Sequence, residues 1–322
     1  MHVLMHSRRK KTGSSFLGKV IMHPTTIHTS ASGVFKPGML TFGNKKQTIL
    51  TINNKGSLIP LYLVPSLGLK PGEYTKLAER CDAEQPMYAF QYQLDEYKAE
   101  SSDLIREIAA HFVKAVLQSR PEGPVAICAW SAGTIVALEV AQQLKALGRD
   151  VALLVAIDWA PENTGVADAA TSMVLNLRCW IRDEWQSQQA FRSVGRYLLE
   201  KYIDMVKRKI FRGMGAEINL PPTVQIVTNA NPGLTQKERA FILRFYLALC
   251  DYIPQEYGGN VLAFVATYEL HKKIGEKWKA IAPRLKTIDV KGTHNTIVRG
   301  ADVEPLAAHL WKELAALSRD HS

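Results

Sequence analysis

A serine, an aspartate and a histidine, in the chain order Ser131, Asp158, His294, are placed to act together. Ser131 lies in Ala129-Trp130-Ser131-Ala132-Gly133, between an apolar run and the start of a helical pattern. A sharp strand-to-helix turn lifts a serine Oγ clear of a sheet and requires small neighbours, because its backbone is crowded. The usual form is Gly-x-Ser-x-Gly; here Ala129 stands at the first glycine. The competing reading is a small-residue helix start packed on the sheet. A serine hydroxyl needs a base, and the base needs an orienting acid. Asp158 ends the next apolar run, 27 residues after Ser131. Its bland reading is a loop-capping aspartate before Pro161, and Glu269, after the strand expected over 261–267, is its rival as the acid. His294, in Gly292-Thr293-His294-Asn295, follows the last expected strand and precedes the last helix. The other histidines fit less well: His2, His6, His23 and His28 precede the ordered pattern, His111 lies toward the polar edge of a helix, and His271, His309 and His321 read as surface or terminal.

Such chemistry builds charge on a carbonyl oxygen, which two donors aimed at one point can hold. One is the backbone N–H of Ala132, at the positive end of the following helix. The other is expected in Pro65-Ser66-Leu67-Gly68-Leu69, with Leu67 N–H the choice.

These residues need a scaffold with one shared rim. Strands are expected over 48–52, 59–64, 86–91, 124–130, 151–158, 261–267 and 286–290. The buried ones are continuous apolar runs such as Val151–Ile157, the mark of parallel strands covered on both faces. Helices are expected over 103–118, 132–147 and 303–317. The first places Leu104, Ile105, Ile108, Ala109, Phe112, Val113, Val116 and Leu117 on one stripe, and Gly148 stops the second. Alternating strands and helices with short links predict a doubly wound α/β domain, in which Ser131, Asp158 and His294 share the C-terminal edge of the sheet. Residues 161–256 break the alternation. Amphipathic helices are expected there over 167–186, 190–212 and 235–251, with a turn-rich link at Leu220–Gly233, and the block reads as a lid. The domain reading is thus a leader over 1–45, a core over 46–160 and 257–320, and a helical lid over 161–256.

Composition excludes several classes. Apolar residues are 47% and charged residues 22% of 322, enough for a sizeable core. No run approaches the roughly 18 apolar residues of a membrane span. Cys81, Cys128, Cys179 and Cys250 have no metal-ligand spacing, so no metal site is expected. Scattered thiols suit a reducing compartment, and a cytoplasmic location is the expectation. The net charge of +10 resembles a nucleic-acid signal until it is located. Residues 1–72 hold ten Lys/Arg and no acid, and the remainder of the chain is neutral. The basicity belongs to the leader. That stretch reads as a disordered extension or as sequence upstream of a start at Met39, with a transit peptide or a membrane- or nucleic-acid-touching arm as the other possibilities. No nucleic-acid or membrane partner is expected.

With these residues in view, the chain from about 48 to 318 resembles the thioesterase domains of nonribosomal peptide and polyketide synthetases, within the α/β-hydrolase superfamily. The resemblance rests on Ile59–Val64 followed by Pro65-Ser66-Leu67-Gly68, on Tyr74 and Leu77, and on Pro121-Glu122-Gly123-Pro124 before Trp130-Ser131-Ala132-Gly133. It continues through Val151–Asp158 with Trp159-Ala160-Pro161, Tyr252-Ile253-Pro254 with Tyr257-Gly258-Gly259, Trp278, and Gly292-Thr293-His294. It implies an α/β-hydrolase fold with a mostly parallel sheet and an inserted helical lid. It also implies a Ser131–His294–Asp158 triad with Leu67 and Ala132 as oxyanion donors. The departures are Pro65 where many members have His, Leu69 at a glycine position, Ala129, and Thr134 at another frequent glycine.

The implied substrate is an acyl or peptidyl thioester on the phosphopantetheine arm of a carrier domain, released through an acyl-Ser131 intermediate, with no cofactor bound by the enzyme. No carrier-type serine motif precedes the core, so a carrier supplied in trans, or a piece of a larger assembly, is expected. The basic stretch 190–212 is read as a dock for an acidic carrier, or equally as a solvated face. The rival functions are an editing thioesterase that clears stalled carriers, a carboxylesterase or lipase on the same fold, and a non-catalytic binding protein, whose mark would be a broken triad.

Overall fold

The computed structural model describes residues 47–99, 103–161, 222–267 and 273–320. The helices expected over 167–186 and 190–212, the basic stretch within the latter, Glu269 and the leader lie outside the described residues.

A seven-stranded sheet forms the centre. Its strands are β1 (Ile49–Asn53), β2 (Leu61–Val64), β3 (Met87–Phe90), β4 (Val125–Trp130), β5 (Val151–Ile157), β6 (Val261–Ala266) and β7 (Leu285–Val290). The spatial order is β1-β3-β2-β4-β5-β6-β7. All neighbouring pairs are parallel except β1 with β3, which is antiparallel. The expected α/β-hydrolase class, mostly parallel with helices on both faces, is the fold observed. β4, β5 and β6 are buried at every residue, which is why they are continuous apolar runs. β1, at an edge, alternates buried and exposed positions.

Successive side chains on a strand leave opposite faces, and this splits the core in two. Tyr62, Val64, Ile127 and Ala129 face helices α2 (Asp103–Ser119) and α3 (Gly133–Ala146), which follow the short α1 (Thr75–Ala78) in the chain. Leu61, Leu63, Cys128 and Trp130 face the closing helix Val303–Asp320. Phe90 and Phe112 stack between sheet and α2, with ring centroids 4.2 Å apart. The stripe expected on α2 is buried except for Leu117, which is half-buried. Leu147 caps α3 at its C-terminal end and is 61% exposed.

The segment Leu220–Gly233, expected as a turn-rich link, contains a helix at Pro222–Ala230. Two adjacent prolines suggest a turn, but proline at the first helical position loses no hydrogen bond, and buried Val224 ties the helix to the core. The next helix, Gln236–Asp251, opens on a capping box. Thr235 Oγ1 accepts from Glu238 N–H at 3.2 Å, and the Glu238 carboxylate accepts from Thr235 N–H at 2.7 Å. Its Phe241 and Phe245 rest against Tyr92. Among the described residues, no helix is long and apolar enough to cross a membrane.

Candidate active site

Four of the parallel strands deliver the expected residues to one rim. Ser131 follows the last residue of β4 and Asp158 the last of β5. Leu67 lies just beyond β2, and His294 just beyond β7. The histidine bridges the other two side chains. His294 Nδ1 is 2.8 Å from Asp158 Oδ2, and His294 Nε2 is 3.0 Å from Ser131 Oγ. Asp158 is fully buried. Its Oδ1 accepts from Ala266 N–H at 2.9 Å, so the neighbouring strand fixes the carboxylate that orients the imidazole. Trp130 Nε1–H donates to the His294 carbonyl at 2.9 Å, and the Trp130 ring lies 5.1 Å from the imidazole.

Among the described residues, three non-glycine residues have positive φ: Leu69 at 62°, Ser131 at 57° and Asp158 at 51°. Each costs backbone strain that the surroundings must hold in place, and all three are at this rim. The Ser131 turn is held by its N–H donating to Ile157 O at 3.1 Å, and the Asp158 turn by its N–H donating to Phe264 O at 2.8 Å.

The helix after Ser131 starts directly against the Leu67 loop. A Cβ on Gly133 would lie 2.7 Å from Pro65 O and 3.0 Å from Val64 O. Glycine is therefore required by close approach, and that approach sets the start of the helix after Ala132 against the end of β2 and the loop that carries Leu67. Neither Leu67 N–H nor Ala132 N–H is hydrogen-bonded among the described residues, so both are open to a ligand oxygen. Gly133→Ala is expected to cost about 1–3 kcal/mol, as overpacking does, and to separate the two donors. A lowered Tm together with slower modification of Ser131 checks it.

The departures from the family pattern are accommodated. Ala129 is fully buried in β4 opposite Val64 and Ala156, where a methyl fits. Pro65 gives its carbonyl to Tyr92 Oη–H at 2.7 Å. Thr134 is buried with its Oγ1 unpaired among the described residues, which is the less favourable substitution.

Beneath the site, the sequence reading named Tyr74 only for its family likeness and missed Glu73 and Arg299. Tyr74 Oη–H donates to Val64 O at 2.6 Å and accepts from Trp130 N–H at 2.9 Å. It thereby pins the ends of β2 and β4 just before the loop and the serine. Burial, helped by the charge of Glu73, pushes its phenol well above the ordinary value, so it remains a neutral donor. Glu73 is buried beneath the Leu67 loop and meets Arg299 at 3.0 Å. Burial raises its carboxyl above the ordinary range, while Arg299 and Ser66 pull it back. One available signal was that Glu73 is the first acid in the chain. Among the described residues, no cluster of three or more His, Cys, Asp or Glu side chains has the arrangement of a metal site.

A serine on a strained strand-to-helix turn, bonded to a histidine that a buried aspartate meets, on the rim of a mostly parallel sheet, is the arrangement of an α/β-hydrolase fold. Residues 59–197 match the family model of the thioesterase domain. The chain is 24% identical over 300 residues to the chondramide synthase of Chondromyces crocatus, covering 85% of this chain and 7% of that one. It is 28% identical over 274 residues to a dimodular nonribosomal peptide synthase of Bacillus subtilis, covering 80% of this chain and 10% of that one. It therefore spans a tenth or less of these relatives' length. In fold, it superposes on the NocB thioesterase domain from the nocardicin cluster with a TM-score of 0.55 at 19% identity, covering 83% of this chain and 99% of that one. The chain thus resembles, in sequence and in fold, the thioesterase domains of nonribosomal peptide and polyketide synthetases.

Proposed function

We propose that this chain is a serine thioesterase that releases an acyl or peptidyl chain from the phosphopantetheine arm of a carrier domain, through an ester on Ser131. The observation that carries the reading is the hydrogen-bonded row Ser131–His294–Asp158, with spacings of 3.0 and 2.8 Å. The thioesterase-domain match and the synthase relatives support the substrate class.

In this reading Ser131 Oγ attacks the thioester carbonyl while His294 Nε2 takes its proton. The oxyanion is held by Leu67 N–H and Ala132 N–H; one such donor is worth about 2.7–4 kcal/mol in the transition state. Collapse breaks the carbon–sulfur bond, and His294 returns the proton to the departing thiol. The acyl-Ser131 ester is then attacked by water, or by a hydroxyl or amine, again with His294 as base, and the serine is restored. Asp158 holds the imidazole with Nδ1 protonated and stabilises the imidazolium. Beyond the substrate and the nucleophile that releases it, these steps draw only on the chain's own residues; the pantetheine arm enters as part of the substrate. The carrier is presented either in trans or within a larger assembly. Cys81 and Cys128 are free thiols, which supports a reducing, cytoplasmic setting. Residues 161–256 are read as the lid that governs which nucleophile reaches the ester.

The test is intact-protein mass after exposure to an acyl-pantetheine thioester and, separately, to a fluorophosphonate. One acyl or one phosphonyl group, mapped to Ser131, is expected. An oxygen ester of the same acyl group serves as comparator, and faster turnover of that ester would transfer the reading to a carboxylesterase. Unmodified, folded protein with both reagents would remove the enzyme reading altogether.

A further inference from the structure

The loop after β2 must hold one N–H steady, yet it has no ladder of its own. Glu73 supplies the support. It sits in the short turn Pro71–Tyr74, buried beneath the loop. Its Oε1 accepts from Ser66 N–H at 2.5 Å, and its Oε2 accepts from Ser66 Oγ–H at 2.6 Å. Ser66 O in turn accepts from Leu69 N–H at 3.0 Å. That carbonyl belongs to the same planar peptide unit as Leu67 N–H. In a trans peptide the two point in opposite directions, so fixing Ser66 O aims Leu67 N–H. Glu73 thus holds Ser66 by its N–H and its hydroxyl, while Leu69 N–H holds the Ser66 carbonyl.

Arg299 braces that carboxylate. It is five residues beyond His294, at the end of the helix Thr296–Arg299. Its Nη2 donates to Glu73 Oε2 at 3.0 Å, and its guanidinium lies 4.3 Å from the centre of the Trp130 ring. Trp130 also holds the His294 carbonyl. The Glu73–Arg299 pair therefore joins the segment carrying the oxyanion donor to the segment carrying the base.

We propose that Glu73 is a positioning residue: its carboxylate, braced by Arg299, holds Ser66 by its N–H and hydroxyl, and Ser66 so held keeps the Leu67 N–H that follows it aimed at the acyl oxygen. The proposal rests on the thioesterase reading. It separates Glu73 from an ordinary buried ion pair because an oxyanion exists in the transition states of both acylation and deacylation, and hardly at all in the bound substrate. Interactions confined to the transition state change kcat, whereas uniform binding changes KM.

Glu73→Gln keeps one acceptor for Ser66 and removes the charge that Arg299 meets. The expected result is a fall in kcat of about 10- to 100-fold, the scale of a small misplacement of a reacting group, with KM little changed. Acylation and deacylation, measured separately in single turnovers, should slow together. Ser66→Ala removes one of the two donors that Ser66 gives Glu73 and leaves the backbone bond. Arg299→Gln removes the brace from a side chain that is 47% exposed. Both should lower kcat in the same direction by less, with Tm near that of the unaltered chain. An active wild type with unimpaired kcat in Glu73→Gln overturns this proposal alone, as does a rise in KM with kcat preserved. If Glu73→Gln does not fold, Ser66→Ala and Arg299→Gln decide, and wild-type kcat in both overturns it. A wild type that forms no Ser131 adduct overturns the thioesterase reading and this proposal with it.

Discussion

Ser131→Ala is expected to lower thioester turnover by on the order of a million-fold, the loss that follows removal of the nucleophile from a triad acting as a unit. The fold should survive. Ser131 sits at φ 57°, and alanine bears about the same strain there as serine, since both carry a Cβ. The backbone bond from residue 131 to Ile157 O does not involve the side chain. What remains is the pair of open donors at Leu67 and Ala132, and such a site alone retains about 10^3- to 10^4-fold over water. The variant should therefore bind substrate with little change and form no covalent adduct, as read by intact mass and single-turnover kinetics. Turnover within about a hundredfold of wild type would identify a different nucleophile.

The three side chains that meet at the rim were legible because each stands at a boundary the sequence marks. Buried parallel strands are continuous apolar runs, so their C-terminal ends can be placed, and Ser131 and Asp158 are the residues immediately after Trp130 and Ile157. His294 was legible because a strand and a helix bracket it. Leu67 was harder, since a backbone donor has no side-chain signature; its place depends on a loop turning at Ser66 and Leu69. The helix at Pro222–Ala230 was misread because prolines and β-branched residues argue locally against a helix, and its stabilising contact through Val224 is tertiary. The antiparallel edge pairing of β1 is also a tertiary property: the alternating pattern of Thr48–Ile52 marks an edge without stating direction.

The support beneath the site was illegible for a related reason. Glu73 and Arg299 are 226 residues apart, and a charge pair across that separation leaves no local pattern. Tyr74 was singled out only through a family likeness. In the structure it ties β2 to β4 through one hydroxyl that donates to Val64 O and accepts from Trp130 N–H. Sequence periodicity reports which face of an element is buried; it does not report which buried polar atoms meet. Conversely, Pro121-Glu122-Gly123-Pro124 proves structural. Gly123 adopts φ 79°, and Arg149 gathers the carbonyls of Arg120 at 2.9 Å and Gly123 at 2.7 Å, closing the turn that feeds β4.

Asp158→Asn should lower kcat by about 10^4-fold with KM nearly unchanged, the scale expected when the orienting acid of a triad becomes an amide. The geometry explains why so small a change has so large an effect. Oδ1 of residue 158 must accept from Ala266 N–H, a bond of 2.9 Å in a fully buried position. An asparagine satisfies that donor with its carbonyl oxygen, which turns its NH2 toward His294 Nδ1. The imidazole must then accept at Nδ1 and carry its proton on Nε2. Nε2–H points at Ser131 Oγ, 3.0 Å away, and a nitrogen that donates there cannot remove the serine proton. The imidazolium formed during reaction also loses its buried counter-charge. Because every backbone donor remains paired, Tm should barely move. Asp158→Ala, by contrast, leaves Ala266 N–H buried and unpaired, at a stability cost of about 1–3 kcal/mol, and confounds the kinetics with unfolding. Steady-state kinetics and thermal melts of the two variants side by side separate tautomer control from structural support. Activity of Asp158→Asn within about tenfold of wild type would move the orienting role to another acid, and Glu269 would be the first to replace.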